Sequence, residues 1–314
     1  MGKTFYNSFP YGVVIGGIPT GIPTSGDVYW VDSGAANAAD ANDGTLDFPL
    51  ATIDGAINKG TASQGDIIMV KAGHTETISN ATTLNADKAG IKVIGLGEGT
   101  DRPTITLDTA TTATIPVSAA NFSFENFIFY ANFADIVALF TLTTAKYFKC
   151  VNCDFLPLAV DMDFTRIIDT NTTDNAADGL ALLNCKWVDV NAATETLVDV
   201  DADLEGLTVH DCYIDLGVNG VLSTIAEVAA GKDLTNVDIR RNYSSRLVTA
   251  SAVQLITFVD TTTTNTGILE SNRCRSLDVA GELLITSGTN ISQYDNLSTS
   301  AVTTSGYLLP AADS

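Results

Sequence analysis

The amino-acid sequence predicts an all-β protein: a right-handed parallel β-helix, or solenoid, of roughly eight coils with a short N-terminal capping helix. Two observations predict it. A short β pattern recurs about every 29 residues, and a second series of apolar segments runs between its copies. The chain has 314 residues, 45% of them hydrophobic, which is enough to bury one long continuous core.

Each copy of the first pattern is a short β segment that ends in a turn residue. The copies are IKVIGL from Ile91, FSFENF from Phe122, FKCVNC from Phe148, LALLNC from Leu180, LTVHDC from Leu207, VDIRRNY from Val237, ILESNR from Ile268 and ISQYDNL from Ile291. Their turn residues are Gly95, Asn126, Asn152, Asn184, Asp211, Asn242, Asn272 and Asn296. The intervals range from 24 residues (Asn272 to Asn296) to 32 (Asn152 to Asn184), too long for a hexapeptide β-helix.

The asparagines in the turn position predict a structural ladder. Asparagine tolerates the left-handed backbone that a coil corner needs, and amides stacked one coil apart can bond along the axis. The predicted ladder consists of Asn126, Asn152, Asn184, Asn242, Asn272 and Asn296.

Three of the five cysteines directly follow a turn residue. This position predicts an inward core column of Cys153, Cys185 and Cys212. We interpret all five cysteines as reduced and buried, because their spacing fits neither a disulfide framework nor a metal site and buried thiols pack as small hydrophobes.

The second series supplies at least one more strand per coil. Its segments are ATIPV from Ala113, ALFTL from Ala138, RIID from Arg166, LVDVD from Leu197, AEVA from Ala226, TFVD from Thr257, LLIT from Leu283 and YLLP from Tyr307. At an inter-strand spacing of about 4.8 Å, eight such coils predict a rod roughly 40 Å long.

A segment before the repeats resembles a known family. The run DGTLDFPLATIDGAINKGTASQGDIIMVKAGHTETI, residues 43–78, contains a proline break, a short amphipathic helix and a buried strand. It resembles the N-terminal cap of pectin-lyase-like β-helix proteins, and with IKVIGLGEGTDRPTI after it the chain is similar to β-helix proteins of tailed-bacteriophage virions. The resemblance covers nearly all of the chain from about Val28, and it implies the fold more strongly than any one function.

The first residues differ from the rest in composition. They are aromatic, rich in glycine and proline, and without periodicity, so we expect residues 1–26 to form an attachment arm and residues 27–314 a single β-helix domain. The alternative is an arm that folds back over its own helix. The residues expected to dock on capsid or another virion subunit are Phe5, Tyr6, Phe9, Tyr11, Val13, Val14 and Ile15.

Charge and hydropathy exclude several partner classes. With 16 basic and 37 acidic residues the net charge is −21, which disfavours nucleic acid and anionic membrane. We see no Sec-type signal and no apolar run of membrane-spanning length, so a soluble protein is expected.

Candidate chemical groups are sparse in the sequence. The basic cluster Arg240, Arg241, Arg246, Arg273 and Arg275 is interpreted mainly as pairing with acids of an adjacent subunit, with catalysis as the alternative. Alternation in LVDVDADL places Asp199, Asp201 and Asp203 on one outward face, which indicates solvated surface first, a Ca²⁺ site second and catalysis last.

Other acidic and histidine residues form no recognised constellation. The pairs Asp161 with Asp163 and Asp169 with Asp174 were considered as hydrolase carboxylates. His74 and His210 are too far apart in the repeat to act together. The sequence therefore predicts no enzyme, no catalytic residue, no metal and no cofactor.

Three functional hypotheses follow. The first is a phage capsid decoration or cement protein in the virion, assembled in the host cytoplasm. The resemblance implies a homotrimer for it, with the major capsid protein as partner. The second is a tail spike or fibre module that binds or cleaves host glycan, and the third is a bacterial surface adhesin.

Overall fold

The structure is a computed structural model of the whole chain. It describes residues 13–15, 18–20, 26–189, 196–216, 223–246, 254–259, 264–276, 290–299 and 309–310. Strands account for nearly all of its regular structure, with one α-helix and one 3₁₀ turn, Gly99–Asp101, among these residues.

The elements are numbered in chain order. The helix is α1 (Ile53–Lys59), and the strands are β1 (Val13–Ile15), β2 (Ile18–Thr20), β3 (Val28–Val31), β4 (Ile67–Val70), β5 (Thr75–Ile78), β6 (Lys92–Gly95), β7 (Thr104–Leu107), β8 (Ile115–Val117), β9 (Ser123–Glu125), β10 (Ile128–Ala131), β11 (Phe140–Leu142), β12 (Lys149–Val151), β13 (Asp154–Pro157), β14 (Arg166–Asp169), β15 (Ala181–Leu183), β16 (Lys186–Asp189), β17 (Thr196–Val200), β18 (Leu204–Glu205), β19 (Thr208–His210), β20 (Tyr213–Leu216), β21 (Ser223–Val228), β22 (Leu234–Thr235), β23 (Val237–Arg240), β24 (Tyr243–Arg246), β25 (Gln254–Phe258), β26 (Thr266–Glu270), β27 (Arg273–Ser276), β28 (Asn290–Tyr294), β29 (Leu297–Thr299) and β30 (Leu309–Pro310).

Three long sheets run along the molecule. Sheet 1 has the order β3-β4-β6-β9-β12-β15-β19-β23-β26-β28, sheet 2 the order β5-β7-β10-β13-β16-β20-β24-β27-β29-β30, and sheet 3 the order β8-β11-β14-β17-β21-β25. Every pairing in them is parallel except β29 with β30. Because successive strands of one sheet come from successive turns of the chain, the molecule is an all-β parallel β-solenoid.

The number of coils differs from the prediction. Among the described residues, six turns contribute a strand to all three sheets, beginning with β6, β9, β12, β15, β19 and β23. The count of about eight is therefore not confirmed. Later turns supply β26, β27, β28 and β29 to sheets 1 and 2 only, within the same described ranges. The right-handed winding, the separate arm and the single domain stay predictions.

The core is one apolar column inside the coils. Its widest part is a group of phenylalanine rings in which Phe124 packs on five others, with ring centroids 5.3 to 6.5 Å away. The group contains Phe122, Phe124, Phe127, Phe129, Phe140, Phe148 and Phe155, all fully buried. These rings fill the core of the coil β9–β10–β11 and of the next coil, β12–β13–β14, which ends at Asp169.

Helix α1 lies beside the first strands. Ile53, Ala56 and Ile57 are buried, and the hydroxyl of Thr52 accepts a hydrogen bond from the Gly55 amide, which fixes the start of the helix. A capping role for this helix stays a prediction.

The predicted asparagine ladder is wrong as a single column. Asn126, Asn152 and Asn184 do occupy left-handed corners, and the Nδ2 of Asn152 and of Asn184 each donate to the Oδ1 of the asparagine one coil earlier. Farther along, the left-handed corner residues are Asp211, Arg241, Ser271 and Asp295. Asn242, Asn272 and Asn296 come one residue later and are buried.

The second asparagine set continues the cysteine column. Cys153, Cys185 and Cys212 are buried and free, on the rungs before Asn242. The Nδ2 of Asn242 donates to Oδ1 of Asn272, and the Nδ2 of Asn272 to Oδ1 of Asn296, each at 3.0 Å. The corner thus carries two ladders at different depths, because the Asn side chain suits both a left-handed corner and a buried amide stack.

Candidate active site

Three carboxylates lie in register on successive strands of sheet 3. Asp169 of β14 pairs with Asp199 of β17, which pairs with Glu227 of β21. Thr141 precedes them and Thr257 follows them in the same register. We call Asp169, Asp199 and Glu227 the carboxylate column.

The column faces outward because of strand alternation. On β17, Val198 and Val200 are buried while Asp199 between them is part-exposed. On β21, Ala226 and Val228 are likewise buried around Glu227. Since neighbouring parallel strands lie about 4.8 Å apart, adjacent carboxylates stand roughly one such step apart.

Arg166 holds two members of the column. Its Nη1 forms an ion pair with the Oδ2 of Asp199 and lies 3.7 Å from the Oδ2 of Asp169. Glu227, by contrast, forms no ion pair with any residue in the described ranges. One carboxylate of the column is therefore left without a fixed countercharge.

The electrostatic setting of Asp199 is unusual for a surface aspartate. Burial is the largest cause that raises the pKa of Asp199, which reaches about 6, and the nearby charges of Asp201, Glu227 and Asp169 raise it further against the opposing effect of Arg166. Asp199 therefore keeps its proton to a higher pH than an ordinary aspartate. A carboxyl group that holds its proton beside other carboxyl groups is the arrangement that proton transfer to a leaving group requires.

The three aspartates of the predicted acidic row, Asp199, Asp201 and Asp203, each contact a different residue. Asp199 pairs with Arg166, the Asp201 amide donates to the hydroxyl of Thr170, and Asp203 accepts a hydrogen bond from the amide of Asp233. In the part of the chain that the structure describes, no group of three or more His, Cys, Asp or Glu side chains could hold a metal ion. The Ca²⁺ site at Asp199, Asp201 and Asp203 gains no support from this geometry.

Three of the four carboxylates in the two candidate pairs have partners elsewhere in the structure. Asp163 is buried and accepts a hydrogen bond from the Asp135 amide at 2.7 Å, while Asp174 lies 2.7 Å from Lys232. Asp169 joins Asp199 across the rungs instead. The register of Asp169 with Asp199 runs along the solenoid axis, not along the chain.

The basic cluster also divides. Arg240 pairs with Asp238 and Glu270 on sheet 1, and Arg241 pairs with Asp211 at the corner. Arg273 lies on sheet 2. Arg246 and Arg275 lie in β24 and β27, and their side chains fall outside the described set.

Neither histidine takes part in the column. His74 is buried beside Glu76, and His210 lies 3.2 Å from Asp238 on sheet 1. Of the predicted docking residues, Phe5, Tyr6, Phe9 and Tyr11 lie outside the described residues. Val13, Val14 and Ile15 form β1, which pairs antiparallel with β2.

Sequence reasoning missed Glu227. The signal was present in the second series of segments, where RIID, LVDVD and AEVA align Asp169, Asp199 and Glu227. Reading each segment alone showed scattered acids, whereas stacking the segments shows the column.

Comparisons with known proteins address the scaffold. No family model matches the chain. No curated protein matches it either. Among solved structures, pectate lyase Pel9A is 11% identical with a TM-score of 0.49, covering 91% of this chain and 78% of its own.

Two further structures are similar in the same way. A rhamnogalacturonan lyase is 13% identical with a TM-score of 0.41, covering 86% of this chain and 87% of that one. ORF18 of Geobacillus virus E2 is 13% identical with a TM-score of 0.34, covering 87% and 60%. The chain is a parallel β-solenoid. At these identities the likeness concerns the fold, which the strand registers establish by themselves.

These comparisons correct one prediction. The chain was expected not to be an enzyme, and that expectation is wrong as a conclusion from the sequence, because similar solved structures are lyases. A missing sequence motif on a solenoid is weak evidence, since residues far apart in the chain meet in one column. No α-helix in the described ranges is long and apolar enough to cross a membrane.

Proposed function

We propose that this solenoid cleaves a glycan by acid-base hydrolysis at the carboxylate column. The observation that carries the proposal is Asp199, whose pKa is raised to about 6 between two carboxylates in register with it. Glycoside hydrolysis uses such a pair, one carboxyl protonated and the other ionised.

Asp199 is the general acid in this proposal. It gives its proton to the glycosidic oxygen as the bond to the anomeric carbon breaks. Arg166 is a positioning residue, because its guanidinium donates to the Oδ2 of Asp199 and fixes the direction of the carboxyl group. In the acid form the proton then sits on the other oxygen, Oδ1, since Oδ2 accepts from Arg166.

Glu227 is the nucleophile. It lies one rung from Asp199 and has no ion-pair partner in the described ranges, so its carboxylate is available to attack the anomeric carbon. Water then displaces Glu227 from the sugar while the Asp199 carboxylate takes the proton of that water. Adjacent rungs about 4.8 Å apart suit the short carboxylate separation of about 5 Å that retaining enzymes use.

A lyase reaction suits the column less well. Proton abstraction beside a sugar carboxylate needs a cation free to neutralise that carboxylate. Arg166 is already engaged by Asp199 and Asp169, and three acids in a row repel an anionic sugar at the point of cleavage. The sugar cleaved at the column is therefore neutral in the proposal.

The experiment is release of reducing ends from a panel of bacterial surface polysaccharides by the full chain. We expect Asp199→Asn and Glu227→Gln each to lower the rate at least about a hundredfold. Asp201→Asn is the matched control, because Asp201 lies two residues from Asp199, just past the end of β17, and takes no step in the proposed reaction. It should keep the rate and move the alkaline limb of the pH profile to lower pH, because the charge of Asp201 raises the pKa of Asp199.

Two results would count against the proposal. One is the absence of release from every polysaccharide in the panel, and the other is release that survives in both Asp199→Asn and Glu227→Gln. Retained anomeric configuration, followed by NMR, supports Glu227 as nucleophile, while inversion assigns it the role of base instead.

The virion setting remains a separate proposal. The N-terminal resemblance supports a phage structural protein, and a tail spike or fibre module accommodates glycan cleavage more directly than a capsid decoration protein. Copy number in purified virions separates them, with hundreds of copies for decoration and tens for a spike. Absence from virions favours the adhesin.

A further inference from the structure

A second outward column lies on sheet 2, on a different face from the carboxylates. Lys186 of β16 pairs with Tyr213 of β20, Tyr213 with Tyr243 of β24, and Tyr243 with Arg273 of β27. We call these four residues the tyrosine column. Two cations thus enclose two aromatic rings over three rung steps, about 14 Å in all.

The two tyrosines form a fixed ridge. Their ring centroids are 5.1 Å apart and their planes differ by 9°, so each ring supports the other. Tyr213 is 42% exposed, and its hydroxyl lies 3.4 Å from Asp215 Oδ2, to which it can donate. Aromatic carbon of Tyr213 is therefore exposed to solvent. Because the ring is already ordered by stacking, a ligand that binds there causes little further loss of side-chain conformational entropy.

The cations beside the ridge differ from most others on this acidic chain. Lys71, Lys92, Arg102, Lys146 and Lys232 each form an ion pair with an acid. Lys186 and Arg273 are exposed, and neither pairs with an acid in the described ranges. Their charges are thus available to a ligand.

We propose that the tyrosine column binds a glycan whose neutral sugars pack on the tyrosines and whose widely spaced acidic groups meet Lys186 and Arg273. The proposal rests on the proposed glycan cleavage for its class of ligand. It adds that the substrate is an acidic heteropolysaccharide, bound here and cleaved elsewhere at a neutral sugar.

The negative net charge of the protein favours a glycan with widely spaced acidic groups over a densely charged polyanion. The net charge of −21 repels nucleic acid and a glycan with an acid on every sugar. Two cations about 14 Å apart match acids that recur along a chain with neutral sugars between them. Because the two rings stack on each other, the pair offers ring edges and its two outer faces, and the apolar faces of the neutral sugars lie against these.

The test is affinity electrophoresis of the full chain in gels that contain hyaluronate, deacylated gellan, polygalacturonate or dextran. We expect hyaluronate or gellan to retard the protein more than polygalacturonate or dextran, and added salt to weaken that retardation. Tyr213→Ala and Arg273→Ala should each raise the dissociation constant about tenfold. Lys149→Ala is the control, because Lys149 is equally exposed and without an ion pair in the described ranges but lies on sheet 1.

The outcomes separate this inference from the proposed function. Asp199→Asn should bind the glycan as wild type does and lose cleavage. Equal retardation by dextran, no retardation by hyaluronate or gellan, or an equal effect of Lys149→Ala would overturn the tyrosine column while leaving the hydrolase proposal intact. Binding of the glycan without cleavage by the wild type would overturn the hydrolase proposal and leave the tyrosine column intact.

Discussion

The backbone amide of Cys212 donates a hydrogen bond of 2.9 Å to the Oδ1 of Asn242 on the next rung. The two residues share one inward column, although one carries a thiol and the other an amide. Before this step the column is filled by thiols, and after it by asparagines that bond to one another and to backbone carbonyls. This one inward column therefore changes from thiols to amides between the rungs of Cys212 and Asn242, while most of the core stays apolar.

The inner ladder should be costly to interrupt. Asn272 is fully buried, and its Oδ1 accepts from both the amide and the Nδ2 of Asn242. Asn272→Ala removes this acceptor, so the Asn242 amide loses its partner and the Asn242 Nδ2 keeps only its bond to the Val209 carbonyl. The carbonyl of Ile239 also loses the Nδ2 of Asn272, and we expect a loss of about 3 kcal/mol in unfolding free energy. Urea denaturation followed by circular dichroism measures it.

Asn152→Ala is the matched comparison in the outer ladder. Asn152 is exposed to water at its corner, where solvent replaces the lost amide bonds, so a loss of about 1 kcal/mol is expected from the left-handed backbone alone. Equal losses in the two variants would show that the ladders do not differ in burial as described.

The corner at Ser271 should tolerate an improvement. Ser271 has a φ of 55°, a left-handed conformation that asparagine adopts more readily than serine. Ser271→Asn should therefore raise the unfolding free energy by about 0.5 kcal/mol, while Ser271→Ala should not. Urea denaturation measures this change as well. A destabilised Ser271→Asn variant would contradict the left-handed conformation at this corner.

The sequence revealed the solenoid but not the register of its columns. The repeats from Ile91 to Ile291 identified the strands of sheet 1 and the corner, since apolar alternation and Asn turns are local signals. They could not show that Asn184 and Asn242 differ in depth, because the corner position and the buried position are adjacent in the chain and Asn is acceptable in both. Glu227 was missed for a related reason: its partners Asp199 and Asp169 are remote in the chain and meet only through register.

His74 should stabilise the start of the solenoid. It is buried, its Nδ1 accepts from the Ser33 amide at 2.9 Å, and its Nε2 lies 2.8 Å from Oε1 of Glu76. That oxygen also accepts from the Ile53 amide at the start of α1, so one imidazole connects three segments. His74→Ala should cost about 3 kcal/mol.

The control for His74 is His210→Ala. The His210 side chain is part-exposed and its Nε2 lies 3.2 Å from Asp238 without a hydrogen bond, so a loss below about 1 kcal/mol is expected. Hydrogen exchange should locate the effect of His74→Ala in α1 and β3. Faster exchange spread evenly over the later coils would refute the local role.

Asp199 should make stability depend on pH in a direction opposite to most aspartates. Its pKa is about 6 in the folded chain against an ordinary 3.8, so the folded state binds this proton more tightly than the unfolded chain. The contribution is then fully present below about pH 4 and is lost as the pH rises through about 6. Because the carboxyl group is partly screened by water, we expect this contribution to the unfolding free energy to amount to about 1–2 kcal/mol.

The measurement is the difference in unfolding free energy between wild type and Asp199→Asn from pH 4 to 8. The unfolding free energy of wild type should fall relative to that of the variant as the pH rises. A difference that does not change with pH, or that grows in favour of wild type, would mean that Arg166 and not burial sets the pKa of Asp199.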